Sequence, residues 1–325
     1  MTTPDTTELR DQLQGLWLPL VTPFRDGEID EVSLRRLVQH YARQPIDGLI
    51  LAATSGEGMT LGIAELERIV ALTRVEISAS RRYLPICLGL SGAVTSKMLD
   101  ALDETAAWPI DGYLIASPYY LRPSQRGLLA HFTALADHAS WPIVLYNIPY
   151  RTGVNLGNEA MLRLAGHSNI IGLKDCCADR NQSLDLLRRR RQQDFAVLTG
   201  EDAQCLDALS DGADGAILAS AHVETESFAE IYRLMAAGAR DAAQARWQSV
   251  EGLTRLLFAE PSPAPIKHWL WRTGLIDSAE LRLPMTEVST ELAARLDREI
   301  ERRAFRHREK RGDEANQLRH SGLVR

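Results

Sequence analysis

The chain has 325 residues, 45% hydrophobic and 25% charged, with a formal net charge of −6. This balance is that of a globular protein, and the acidic excess argues against a nucleic-acid or anionic-membrane partner. No apolar run reaches the roughly 18 residues that span a bilayer, and the polar, acidic N-terminus lacks the basic and apolar regions of a signal peptide.

Along the chain, short apolar runs alternate with amphipathic stretches. Strand candidates are Leu16–Phe24, Gly48–Thr54, Pro85–Ser91, Gly112–Pro118, Pro142–Pro149, Ile170–Cys176, Phe195–Gly200 and Gly215–Ser220. The intervening helix candidates are Glu31–Arg43, Ala64–Ala79, Thr95–Ala107, Gln125–Ala139, Asn158–Ala165, Ser183–Gln193 and Ala203–Leu209, with Ser227–Ala237 after the last strand. Strands without alternating polarity, each followed by a helix, indicate a parallel sheet covered by helices. Eight such units favour a closed (β/α)8 TIM barrel over an open sheet, and no Gly-rich phosphate fingerprint follows the first strand. The expected organisation is an N-terminal extension over 1–14, a barrel catalytic domain over 15–240 and a C-terminal helical appendage over 241–301. Residues 302–325, rich in Arg and poor in apolar side chains, read as a disordered tail.

The active site of such a barrel lies at the C-terminal ends of its strands. That rule collects Thr54-Ser55-Gly56-Glu57, Ser117-Pro118-Tyr119-Tyr120, Tyr146-Asn147-Ile148-Pro149 with Arg151-Thr152-Gly153 just beyond, Lys174-Asp175, and Gly200-Glu201-Asp202 at one mouth. Of the 37 basic residues only Lys97, Lys174, Lys267 and Lys310 are lysine. Arginine cannot become a nucleophile, whereas a desolvated lysine can. Lys174 follows Ile170, Ile171 and Leu173, so its amine is expected to be partly desolvated, its pKa lowered, and its chemistry that of a Schiff base with a ketone. The bland alternative is a Lys–carboxylate pair with Asp175, but adjacent strand residues point to opposite faces. Tyr146 can relay protons or be an ordinary interior tyrosine. Thr54 and Ser55 can cradle a carboxylate or cap a helix. Arg151 can grip a second carboxylate or lie solvated. The cysteines, Cys87, Cys176, Cys177 and Cys205, lack metal-site spacing and read as reduced core thiols of a cytoplasmic protein; neither metal nor cofactor is expected.

These strand-end motifs, with Pro118-Tyr119-Tyr120, Arg122-Pro123-Ser124-Gln125, Ile171-Gly172-Leu173-Lys174, Gly215-Ala216-Ile217, Glu260-Pro261-Ser262-Pro263 and Leu281-Arg282-Leu283-Pro284-Met285-Thr286, resemble the pyruvate-dependent aldolase and lyase superfamily. The resemblance is greatest to the dihydrodipicolinate synthase family and runs from about Gly15 to about Arg298. It implies Lys174 as the Schiff-base lysine, with Tyr146, Thr54 and Tyr120 as a proton relay whose Tyr120 comes from a neighbouring subunit. It further implies Thr54 and Ser55 at the pyruvate carboxylate, Arg151 at the carboxylate of aspartate semialdehyde, Gly200 and Ile217 as backbone contacts near pyruvate, and a homotetramer built from tight dimers. Ser55 departs from the usual second Thr, and Leu90-Ser91-Gly92-Ala93 from the usual Gly-Thr-Gly-Ala-Asn. The acceptor aldehyde thus stays open between aspartate semialdehyde and the substrate of a catabolic 2-keto-3-deoxy sugar acid or hydroxy-oxo-acid lyase. A non-catalytic keto-acid-binding barrel is the third alternative. The resemblance also implies insensitivity to lysine: lysine-regulated members hold their effector with polar and acidic side chains where this chain has Ile63, Leu66, Ala93 and Lys97, with Met59 at a small-residue position, and only Tyr119 is kept.

Overall fold

The computed structural model describes residues 6–190 and 194–320. Eight parallel strands close into a barrel: β1 (Gly15–Pro19), β4 (Gly48–Leu51), β5 (Ile86–Leu90), β6 (Gly112–Ala116), β7 (Ile143–Asn147), β8 (Ile170–Asp175), β9 (Ala196–Thr199) and β10 (Gly215–Ile217). Closure is made by β1 against β10, with Gly15 opposite Gly215 and Trp17 opposite Ile217. The first expected strand is broken in two. After β1 the chain leaves the barrel, and Phe24–Arg25 (β2) pairs antiparallel with Glu28–Ile29 (β3) in a small hairpin.

Both faces of these strands are buried, which is why they read as continuous apolar runs. Outward residues such as Leu49, Ile86, Tyr113, Leu145 and Leu173 join the helices in the main core. Inward residues Trp17, Ile50, Cys87, Leu114, Val144, Ile171, Leu198 and Ile217 form a second cluster inside the barrel. A register shift between Ile143 and Val144 makes Val144 face Gly172, leaving an irregularity at Ile171 in β8. Beyond it Leu173 packs outward and Lys174 lies opposite Tyr146.

Several helices begin where the sequence supplies a cap: Asp30 accepts from the Ser33 amide at 3.0 Å, opening Glu31–Tyr41, and Ser124 accepts from Gly127 at 3.3 Å, opening Gln125–His138. The helix expected at Ser183–Gln193 spans Arg180–Arg189, and the end of that expected range falls on 191–193, outside the described residues. The helix expected at Ser227–Ala237 starts earlier, at Ala221, and is kinked at Glu224.

Two terminal segments do more than the sequence reading assigns them. The helix Thr6–Gln12 plugs the end of the barrel away from the strand C-termini, with Leu9 and Leu13 buried in the interior cluster. A side chain at Gly172 would meet Leu13 Cδ2 at 2.5 Å, so the plug needs a glycine there. The C-terminal appendage comprises helices Arg240–Leu257, Ala264–Arg272 and Thr290–His320. Trp247, Leu253, Leu257, Trp269, Leu270, Leu292 and Leu296 bury it in the same core as the barrel helices. Helix Thr290–His320 runs on through the stretch expected to be disordered, and Arg303 pairs with Glu224 and Glu299 there. Charges at helical spacing satisfy one another at i,i+3 and i,i+4, as Arg302 and Arg303 do with Glu299.

Candidate active site

The strand ends converge as the pattern requires. Lys174, near the end of β8, is only 5% exposed, and its Nζ stands 4.5 Å from the centre of the Tyr146 ring on the neighbouring strand. No carboxylate is hydrogen-bonded to it among the described residues. Burial pushes its amine below the ordinary lysine value, an effect opposed through space by Cys176, Asp202 and Glu201 and aided by Arg151. Asp175 faces away, accepting from the Cys177 amide at 3.0 Å and the Ser183 hydroxyl at 2.6 Å. The adjacent-residue argument therefore holds: Asp175 is not the partner of Lys174.

Gly200 is explained sterically. A Cβ at that position would sit 2.4 Å from Lys174 Cε and 2.5 Å from Cys176 Sγ, so only glycine leaves the lysine its course along the barrel wall. Ile217 closes β10 on the interior face, fully buried against Trp17. Tyr146 is buried with the Thr54 hydroxyl as a hydrogen-bonding neighbour; burial, more than any charge, raises its phenol well above the ordinary value, and Thr54 opposes that rise. A neutral phenol between a hydroxyl and an amine is equipped to pass protons in either direction.

Thr54 and Ser55 sit in a tight turn after β4. The turn begins at Ala52 (φ 55°) and ends at Glu57 (φ 51°), both left-handed, a costly conformation for residues with a Cβ. The Glu57 amide donates to Thr54 O at 3.2 Å, and the Thr22 hydroxyl donates to Gly56 O at 2.7 Å. The Ser55 and Gly56 amides have no hydrogen-bond partner among the described residues. Two such donors beside two side-chain hydroxyls make a fitting cradle for a carboxylate.

Arg151 stands exposed at the rim, its guanidinium 5.7 Å from the Tyr150 ring centre, and its charge is felt by Lys174, Tyr146 and Glu201. Tyr120 is the one expected relay member that this chain does not bring in. The residue is 87% exposed, its backbone is left-handed (φ 69°), and its amide is tied to Thr152 O at 3.1 Å.

Two neighbours of Lys174 were not singled out by sequence. Cys176 lies two residues on and so on the same strand face, a spacing that was legible; burial keeps its thiol protonated and removes it as a rival nucleophile. Glu201, beyond Gly200, has an Oε1 that is buried without a hydrogen-bond partner among the described residues, and burial raises its carboxyl. Asp202 links the strand ends by accepting from the Ser220 amide at 2.6 Å, and burial raises it to about 6.

No group of three or more His, Cys, Asp or Glu side chains that could hold a metal occurs among the described residues, and none of the helices searched there is long and apolar enough to cross a membrane. The model of the Dihydrodipicolinate synthetase family matches residues 12–303. The 4-hydroxy-tetrahydrodipicolinate synthase 2 of Clostridium acetobutylicum is 40% identical over 287 residues, 88% of this chain and 99% of that protein. The 4-hydroxy-tetrahydrodipicolinate synthase of Syntrophus aciditrophicus is 36% identical over 286 residues, 87% of this chain and 97% of the relative. Among solved structures, the dihydrodipicolinate synthase of Aquifex aeolicus superposes with a TM-score of 0.85 at 29% identity, over 90% of this chain and 98% of its own. With its family matched over nearly the whole length and its strand-end residues gathered at one mouth, this chain belongs to the dihydrodipicolinate synthetase family.

Proposed function

We propose that this chain is a cytoplasmic 4-hydroxy-tetrahydrodipicolinate synthase that condenses pyruvate with aspartate semialdehyde through a Schiff base on Lys174. The observation that carries the reading is the buried Lys174 amine, free of any carboxylate bond among the described residues and facing Tyr146 across the β7–β8 pair. Burial lowers its pKa, which supplies the neutral amine that nucleophilic attack requires.

The turn at Thr54–Ser55 receives the pyruvate carboxylate. The Lys174 nitrogen attacks the keto carbon, and a proton passes from nitrogen to the developing alkoxide by way of Tyr146. Loss of the hydroxyl as water, again with a proton from Tyr146, leaves the iminium. The Tyr146 phenolate left by that donation takes a methyl proton to give the enamine, whose terminal carbon attacks the aldehyde while the same proton passes from Tyr146 to the new alkoxide. Arg151 meets the carboxylate of that second substrate at the rim. Release consumes water or the substrate's own amine at the iminium carbon and returns the Lys174 amine. The working assembly is proposed to be a homotetramer of tight dimers in which the exposed Tyr120 enters a neighbouring subunit's relay.

The test is a panel of aldehyde acceptors offered with pyruvate and scored by product mass. Product with aspartate semialdehyde and not with the other aldehydes is expected. Pyruvate released from a 2-keto-3-deoxy sugar acid, with no condensation on the semialdehyde, would assign the chain to a catabolic lyase instead.

A further inference from the structure

Among the described residues a second lysine is as deeply enclosed as Lys174, and the reaction scheme leaves it unused. Lys267, on the appendage helix Ala264–Arg272, has no exposed surface. Its Nζ donates to Glu57 Oε1 at 2.5 Å and to Glu280 O at 2.7 Å. The remaining carboxylate oxygen, Glu57 Oε2, accepts from the Arg282 amide at 3.1 Å. The Phe24 ring is flanked by both cations, with Lys267 Nζ 4.3 Å and the Arg282 guanidinium 4.4 Å from its centre.

Glu57 is also the residue that closes the Thr54–Ser55–Gly56 turn, in a left-handed conformation that a Cβ disfavours. Something outside the turn must hold it there, and the side chain of Glu57 shows what does: both carboxylate oxygens are anchored on the appendage. Arg282 adds further ties from the same segment, to Thr60 O at 3.1 Å and to Glu65 at 2.5 Å. The neighbouring Gly58 packs directly on the start of the same turn, where a Cβ would overlap Ala52 O at 1.7 Å.

We infer that Lys267 is a positioning residue of the C-terminal appendage: through its buried ion pair with Glu57 it holds the turn whose Ser55 and Gly56 amides and Thr54 and Ser55 hydroxyls receive the substrate carboxylate. This rests on the Lys174 Schiff-base reading above. Removing one partner of a buried pair leaves the other charge uncompensated, so the turn must move to rehydrate Glu57. Displacement of a substrate-holding turn weakens carboxylate binding while leaving the amine of Lys174 in place.

The experiment compares wild type with Lys267→Met, which keeps length and apolar bulk but not charge, at a temperature where circular dichroism shows both folded. Borohydride trapping of the pyruvate adduct is read against pyruvate concentration. Half-saturating pyruvate should rise about tenfold or more, with full adduct on Lys174 still reached at saturation and half-saturation for the aldehyde moved less than about twofold. Should Lys267→Met fail to fold, Glu57→Gln carries the same expectation, because its amide nitrogen cannot accept from the Arg282 amide. An unchanged pyruvate dependence in either folded variant overturns the inference and leaves the Schiff-base reading standing. No adduct in wild type overturns that reading, and the inference with it.

Discussion

Two buried lysines, one at the barrel mouth and one in the appendage, have opposite surroundings. Each lies near an aromatic ring, but Lys174 has no carboxylate bonded to it among the described residues, whereas Lys267 is fixed by Glu57 and a backbone carbonyl. Burial lowers both amines, that of Lys267 to about 8 even against the attraction of Glu57. Low pKa alone therefore does not mark the nucleophile. What separates them is commitment: the Lys267 ammonium is bound by acceptors and sealed, while Lys174 keeps its nitrogen for a ligand.

The largest effect expected from this contrast is on turnover. Lys174→Ala should abolish condensation, and a substantial rate in that variant would erase the distinction between the two sites. Next, Arg151→Ala should weaken use of the acceptor about ten- to a hundredfold in kcat/KM, the value of one charge-assisted bond, while sparing pyruvate adduct formation. Equal loss at both steps would make Arg151 a structural residue of the rim.

A third, smaller effect is on pH dependence. Attack requires the neutral amine, so the trapping rate should rise with pH through the lowered pKa of Lys174 and level off before the ordinary lysine value of 10.5. A rate still climbing as far as 10.5 would show a solvated lysine at work.

How far these assignments were legible depends on how local their causes are. The barrel followed from eight apolar runs, and Lys174 stood out because a charged residue interrupted one of them in a chain that otherwise writes arginine. Thr54, Ser55 and Tyr146 were reachable because barrel strands deliver their C-terminal residues to one mouth, whereas Gly200 and Ile217 were given site roles only through the family resemblance. The plug at Leu9 and Leu13 was not, since a seven-residue helix has too few turns to show a periodicity. The role of Glu57 was hidden for another reason: its partner is 210 residues away in sequence, and no local pattern encodes that pairing. Composition counts the charges of Arg302 and Arg303 without seeing that both face Glu299.

A third lysine sharpens the contrast with the least expected response. Lys97 is exposed and paired with Asp100 at 3.1 Å, and Met59 and Ile63 are exposed apolar residues on the stretch that follows the Thr54–Ser55 turn, positions that the family resemblance assigns to an effector cleft. A cation in place of an acid repels an effector ammonium, a swing of several kcal/mol at about 4 Å and an effective dielectric near 20. Titration of turnover with L-lysine should therefore show no inhibition below the millimolar range; half-inhibition at lower concentration would mean that other groups complete that cleft.

The most direct measurement is to incubate the protein with pyruvate, reduce with borohydride and locate the adduct by peptide mass spectrometry. The account predicts one three-carbon adduct, on Lys174, with Lys97, Lys267 and Lys310 unmodified. An adduct on Lys267, or on either of the other two with Lys174 untouched, would contradict it.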